Sequence, residues 1–101
     1  MDFSLVKQAM ELKSKMGKLQ KELAKTIFEV SSDDGNIQVS VNGQQRVLSI
    51  KINPAVIDPN NARKLEIMIL KTVTDALDKS QQMSAKKMKE LTGGINLPGL
   101  T

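Results

Sequence analysis

The chain contains neither cysteine nor histidine, and its only aromatic residues are two phenylalanines. Without thiols and imidazoles it has no disulfide, no thiolate nucleophile and no ordinary zinc site. The lack of Trp and Tyr removes the side chains that usually stack on unpaired bases. No apolar run approaches the roughly 20 residues that cross a bilayer, and the N-terminus does not resemble a signal peptide. We therefore expect a cytoplasmic protein with no membrane contact, no metal and no cofactor.

Residues for catalysis are equally scarce. A tuned acid–base pair or an activated nucleophile is hard to assemble without His and Cys. Asp33 and Asp34 form an adjacent carboxylate pair, but they precede Gly35 in a turn, where Asp is common for backbone reasons alone. We therefore expect no enzymatic activity and no small-molecule substrate.

The net charge of +4 is distributed unevenly along the 101 residues. Residues 1–25 carry six lysines against three acidic residues, and residues 59–101 carry seven basic against four acidic residues. The middle segment, 26–58, carries two basic and four acidic residues. Positive charge at both flanks favours a polyanionic partner. Because so short a chain buries a modest fraction of its surface, we also expect it to form oligomers.

The N-terminal segment has the pattern of a coiled-coil helix. Its apolar residues recur in alternating steps of four and three, at Leu5, Ala9, Leu12, Met16, Leu19 and Leu23. This narrow stripe predicts a helix over residues 3–25, about 35 Å long, part of which projects into solvent.

Three strands are predicted next. The first contains Ile27, Phe28 and Val30, and the second alternates Ile37, Val39 and Val41 with polar residues. Asn42-Gly43 suits a type I′ turn, in which both central residues have positive φ. The third strand starts at Val47, or at Leu48 after a bulge, and ends near Asn53-Pro54.

A second long helix is predicted to start with Asp58 as N-cap and Pro59 at its first position, and to end at Gly93-Gly94. Its first half is apolar on most sides, which indicates core and dimer interface, whereas Ser80 to Leu91 is more polar and suits packing against the first helix. Whether that first helix belongs to the same chain or to a partner is left open. The predicted interface residues are Ile50, Ile52, Leu65, Ile69 and Val73. The fold class is therefore α+β, with one domain over 1–92 and a flexible tail over 93–101.

The lysines of the two helices are the candidate DNA-contacting residues: Lys7, Lys15, Lys18, Lys21, Lys25, Lys86, Lys87 and Lys89. A structural interpretation competes with this one. The first five would solvate a coiled-coil face and pair with Glu11 and Glu22, and the last three would suit the dipole at a helix C-terminus. Because the chain has only two arginines, bidentate reading of guanine, and with it sequence selectivity, should be weak.

Taken together, these features resemble the YbaB/EbfC family of nucleoid-associated proteins over essentially the whole chain. The matching stretches are Val6-Lys7-Gln8-Ala9-Met10, Val39-Ser40-Val41-Asn42-Gly43, Leu48-Ser49-Ile50-Lys51-Ile52-Asn53-Pro54, Asp75-Ala76-Leu77, Lys86-Lys87-Met88 and Leu91-Thr92-Gly93-Gly94-Ile95-Asn96-Leu97-Pro98-Gly99-Leu100. The resemblance implies a tweezer-like homodimer whose helical arms bind double-stranded DNA in the bacterial nucleoid, for chromosome organisation or gene regulation.

Two other functions fit the same pattern of elements. A prefoldin-like chaperone or protein-binding scaffold also combines coiled-coil arms with a small sheet, and it would expose apolar arm tips such as Phe3 and Val6. The other alternative is that the protein serves as a purely structural partner of a recombination or replication protein.

Overall fold

A computed structural model describes residues 3–93 of the protein. Along the chain it contains helix α1 (Phe3–Lys25), strands β1 (Ile27–Ser31), β2 (Ile37–Asn42) and β3 (Val47–Ile52), a 3₁₀ turn (Pro54–Val56) and helix α2 (Ala62–Leu91). The predicted α+β order of helix, three antiparallel strands and helix is confirmed. Apart from Gly93, the predicted flexible tail lies outside the described residues.

The three strands form one antiparallel sheet in the order β1-β2-β3. Ile37, Val39 and Val41 of the central strand are fully buried on one face, as their strict alternation predicts. Val41 lies opposite Val47 and Ser40 opposite Ser49, so Leu48 is the extra residue of a bulge in β3. Beyond the bulge, Ile50 and Ile52 lie opposite Val39 and Ile37, which places them on the same face of the sheet as those two residues.

The β2–β3 hairpin is present, but the predicted type I′ turn at Asn42-Gly43 is wrong. Positive φ occurs at Gln45 (59°) and not at Asn42 or Gly43. The loop closes through the Asn42 backbone N–H, which donates to the Arg46 carbonyl at 2.9 Å. Tertiary contacts explain the difference. The Gly43 N–H donates to the carbonyl oxygen of Leu23, in the last turn of α1, and to that of Thr26, just after α1.

The start of α2 also differs from the prediction, since its N-cap is Asn61 and not Asp58. The Asp58 carboxylate accepts a hydrogen bond from the Asn60 N–H at 2.9 Å, and its carbonyl accepts one from the Asn61 N–H. Asp58 therefore closes a turn of its own and the helix begins after that turn. At the other end, Gly93 adopts φ 64°, the left-handed conformation predicted for it.

The core lies between the sheet and the first half of α2. Ala76 is fully buried against the three β2 residues, and half-buried side chains of β1 and α2 surround this cluster. The helix lies over β1 and β2, with the Lys71 ammonium 3.2 Å from the Asp33 carboxylate in the β1–β2 turn. Strand β3 is consequently left at an exposed edge.

Beyond the sheet, the two helices continue side by side as an arm. After Ser80, α2 runs for eleven more residues, about 16 Å, and α1 packs on this part of α2 from the same chain. Leu19 and Leu23 of the apolar stripe are buried, Leu12 and Met16 are half-buried, and Leu5 and Ala9 are exposed. With extents of 69 × 22 × 17 Å and a radius of gyration of 19.0 Å, against about 13 Å for a compact domain of 100 residues, the chain is elongated.

Candidate nucleic-acid interface

The β2–β3 loop fixes the base of the arm. The Ser80 hydroxyl of α2 donates to the Asn42 carbonyl at 2.6 Å, and the Asn42 side-chain amide donates to the Ala24 carbonyl of α1 at 3.2 Å. The Gln44 side-chain amide donates to the Gln20 carbonyl at 3.0 Å. Both helices are thus bonded to one loop, which sets the orientation of the charged residues further along the arm.

Five lysines occupy one side of α1. Lys7, Lys18 and Lys25 are separated by 11 and 7 residues, so at 3.6 residues per turn they lie within about 20° of one line along the helix. Lys15 and Lys21 flank this row at about 60° on either side of Lys18. All five side chains are exposed. We call this set the α1 lysine row.

The ion pairs of residues 3–93 do not involve the α1 lysine row. They join Arg63 to Glu66, Lys71 to Asp33, and Lys87 to Glu90. Glu11 and Glu22, which lie on the same side of α1, are therefore not paired with the lysines as the structural interpretation requires. The row presents its positive charge to solvent.

A shallow groove between the helices collects lysines from both. Lys15, Lys18 and Glu22 of α1 line it with Lys87 and Glu90 of α2, and its volume is about 340 Å³. The Lys87 ammonium lies 3.8 Å from the Glu90 carboxylate, a half-exposed contact of the kind that contributes little to stability. Three lysines against two glutamates leave the groove with a net charge of +1.

The structure does not bring all eight predicted DNA-contacting residues into this groove. Lys7 lies about 16 Å beyond Lys18 toward the arm tip, and Lys21 and Lys25 lie toward the base. On α2, Lys86 and Lys89 are exposed and lie about 100° and 160° around the helix from Lys87. The positive surface is therefore spread along and around the arm.

Sequence reasoning missed the acidic side of the groove. Glu90, which pairs with Lys87, was not singled out, although a spacing of three residues on a helix is a recognisable signal for such a pair. It also missed Lys79, whose ammonium lies 5.9 Å from the centre of the Phe28 ring and so contacts the body of the protein.

Of the predicted interface residues, Leu65, Ile69 and Val73 lie on one side of α2, and Ile50 and Ile52 lie in β3. Val73 is about 200° around the helix from Lys71, which contacts the β1–β2 turn. Leu65, Ile69 and Val73 are half-buried, as is Ile52, and all four pack against the core of their own chain. Ile50 is 44% exposed, and Leu70, in the apolar first half of α2, is 69% exposed.

The Asp33-Asp34 pair has a role in the turn. Asp33 is bonded to Lys71, and a hydrogen bond from the Ser32 hydroxyl, aided by one from the Asn36 N–H, lowers the pKa of Asp34 to about 2. An acid this strong is unsuited to proton transfer near neutral pH. Within residues 3–93 no three acidic side chains are grouped to hold a metal ion, and no helix there is long and apolar enough to cross a membrane.

An elongated chain with a small hydrophobic body and an exposed lysine row along a helical arm has the features of the class of polyanion-binding proteins. The chain belongs to the YbaB/EbfC DNA-binding family, whose sequence model matches residues 2–95. This is a family of DNA-binding proteins and not of enzymes, and the resemblance stated from the sequence is confirmed.

Similar proteins carry the name "Nucleoid-associated protein". One from Syntrophobacter fumaroxidans is 42% identical over 98 residues, covering 97% of this chain and 89% of the relative. Another from Clostridium novyi is 39% identical over 97 residues, covering 96% and 85%. Among solved structures, an uncharacterized protein from Helicobacter pylori matches with a TM-score of 0.81 at 21% identity, covering 92% of this chain and 99% of that one. That likeness supports the fold.

Proposed function

We propose that this protein binds double-stranded DNA as a homodimer, with weak sequence selectivity, and that it organises the chromosome or regulates genes in the cytoplasmic nucleoid. The name shared by its relatives supports that location and role. The residues that would contact phosphates are Lys7, Lys15, Lys18, Lys21, Lys25, Lys86, Lys87 and Lys89.

The α1 lysine row is the observation that carries this proposal. Its ammonium groups are exposed and outside the ion pairs of residues 3–93, so few existing interactions have to break when they meet phosphate. The row follows α1 from Lys7 to Lys25, about 27 Å, which is long enough to meet several phosphates in succession. Lysine ammonium groups bind phosphate as point charges and do not impose the geometry of a base edge.

The exposed edge of the body supports the homodimer. Among the described residues β3 is an edge strand, and its apolar Leu48 and Ile50 are 47% and 44% exposed. An unpaired strand edge with exposed apolar residues is a surface that proteins normally cover. A second copy of the chain related by a two-fold axis would cover both edges at once and would bring two arms to one assembly.

The salt dependence of DNA affinity tests the binding mode. If roughly 6–8 phosphates are neutralised, the plot of log affinity against log salt concentration should have a slope of about −5 to −7. Fluorescence anisotropy with two duplexes of equal length and unrelated sequence should give affinities within about threefold of each other. A flat salt response would contradict the proposal. Sedimentation equilibrium on the same preparation tests the dimer, which a purely monomeric species would exclude.

A protein-binding scaffold or prefoldin-like chaperone is the second candidate, and the arm tip is the observation that favours it. Phe3, Val6 and Met10 are exposed on one side of α1, about 120° to 180° around the helix from the midpoint of the buried Leu19 and Leu23. Suppression of the aggregation of an unfolded client by this protein at equimolar amounts, with no DNA retardation, would favour this function over DNA binding.

A further inference from the structure

The end of the arm contains an apolar groove that the described residues leave uncovered. Its apolar lining is Leu5, Ala9 and Leu12 of α1 with Leu91 at the end of α2, and its polar lining is Gln8, Glu11, Lys15 and Thr92. Its volume is about 460 Å³, larger than that of the lysine-lined groove. Leu5 is 65% exposed, although it belongs to the same stripe as the buried Leu19 and Leu23.

The groove exists because α2 is too short to cover the whole stripe. α2 ends at Leu91, and the left-handed Gly93 turns the chain out of the helical path. Gly94 and Pro98 follow in the sequence, and neither favours a continued helix. A different kind of segment is needed to cover the first two turns of α1.

Residues 94–101, Gly-Ile-Asn-Leu-Pro-Gly-Leu-Thr, are suited to cover this groove by their side chains and by their position in the sequence. They carry no charged side chain, and they follow directly on Thr92 and Gly93, at the wall of the groove. From Leu12 to Leu5 the helix rises about 10.5 Å. Four extended residues span about 13 Å, so Leu97 reaches the far end of the groove.

The spacing of the apolar side chains also agrees. In an extended segment, Ile95 and Leu97 point to the same side about 6.6 Å apart, while Asn96 points the other way. Along α1, Ala9 lies about 4.5 Å from Leu12 and about 6 Å from Leu5 in axial rise. We propose that Ile95 and Leu97 of the same chain dock in this groove and complete the apolar stripe of the arm. For these residues the proposal replaces the expectation of a flexible tail, and it requires neither DNA nor a dimer.

A disulfide test is clean in this protein because its sequence has no cysteine. Ala9→Cys with Ile95→Cys should form an intrachain disulfide under mild oxidation at least about fivefold faster than the control, Ala9→Cys with Asn96→Cys. A non-reducing gel separates the intrachain product from covalent dimers. Equal rates for the two pairs, or a product that is mainly interchain, would overturn the proposal.

Amide hydrogen exchange gives an independent measurement without new cysteines. Leu97→Asp should increase exchange of residues 5–12 by about fivefold, because the charged side chain cannot stay in the apolar groove, and should leave residues 37–52 unchanged. Asn96→Asp introduces the same charge at a position facing away and should leave both regions unchanged. Unaltered exchange of residues 5–12 in Leu97→Asp would overturn the proposal.

Discussion

The hydroxyl of Ser80 donates a 2.6 Å hydrogen bond to the backbone carbonyl of Asn42, thirty-eight positions earlier in the chain. The Ser80 hydroxyl oxygen in turn accepts a hydrogen bond from the Gln45 backbone N–H at 3.2 Å. Ser80 is fully buried where α2 leaves the sheet. A single small polar side chain therefore bonds the end of β2 and the loop that follows it, at the point where the arm begins.

Replacing Ser80 by Ala should destabilise the protein by about 0.5–1.5 kcal/mol, because the buried Asn42 carbonyl loses its shorter hydrogen bond and keeps only the 3.2 Å bond from the Gln45 N–H. The free energy of unfolding in urea, followed by circular dichroism, measures the effect. Ser84→Ala is the matched control one turn further along α2, since the Ser84 hydroxyl makes no hydrogen bond to the described residues. Equal stabilities of the two variants would contradict a stabilising role for the Ser80 hydrogen bonds at the base of the arm.

Substitution by alanine should lower the stability of the protein at one glycine, Gly43, and raise it at another, Gly17. A Cβ at Gly43 would lie 2.8 Å from the Leu23 carbonyl oxygen, a backbone atom that moves only if α1 shifts. Gly43→Ala should therefore cost about 1–3 kcal/mol. Gly17 in α1 has no atom within 4 Å of such a Cβ, so Gly17→Ala should stabilise by about 0.5–1 kcal/mol. Thermal unfolding of both variants tests the pair, and a stable Gly43→Ala would show that the arm does not need this close approach.

The proposed dimer should depend on one face of β3. Ile50→Asp places a charge on the exposed apolar edge and should weaken dimerisation by at least about tenfold in Kd. Ser49→Asp introduces the same charge on the opposite face of the strand and should leave it nearly unchanged. Sedimentation equilibrium measures Kd, with helicity as the check on folding. Equal dimer stability in the two variants would rule out this edge as the interface.

The α1 lysine row should govern the salt dependence of DNA binding. Lys18→Gln should lower the magnitude of the log–log slope by about one for each phosphate that is no longer neutralised, and a homodimer carries the change twice. Lys13, about 140° around the helix from Lys18, supplies the control with the same change in charge. If Lys13→Gln reduces the slope as much as Lys18→Gln, the net charge and not the row determines affinity.

Acid should loosen the β1–β2 turn through Asp34. Its pKa is lowered to about 2 by the Ser32 hydroxyl and the Asn36 N–H, so its contribution is present above pH 4 and is lost as the pH falls from about 4 to 2. In an NMR titration, the Asp34 carboxyl carbon should show a midpoint near 2. Ser32→Ala removes the hydrogen bond that lowers the Asp34 pKa most and should therefore raise that midpoint. An unchanged midpoint would contradict this prediction.

Much of the fold follows from local pattern. The coiled-coil stripe predicted α1 from residue 3 to residue 25, and strict alternation predicted β2, because both periods are intrinsic to the backbone geometry. The two errors occur where side chains have tertiary partners or close their own turns. Asn42 and Gly43 are engaged by α1, and Asp58 bonds Asn60, so propensity for a type I′ turn or an N-cap did not decide their conformation.

The candidate site was predictable only in part. Helical spacing alone places Lys7, Lys18 and Lys25 on one line, and the sequence contains that information. The meeting of Lys15 and Lys18 with Lys87, and the presence of Glu90 among them, depends on how α1 packs on α2. No pattern within one helix specifies that register.

The sequence by itself determined the identity of the elements, the positive flanks and the absence of thiol and imidazole chemistry, because these depend on composition and short-range periodicity. Tertiary structure decided that α1 packs on α2 of its own chain, which lysines share a groove, and how much of the apolar stripe α2 covers. These outcomes depend on the length of α2 relative to α1 and on the hydrogen bonds at Ser80 and Gly43, which join residues distant in the chain.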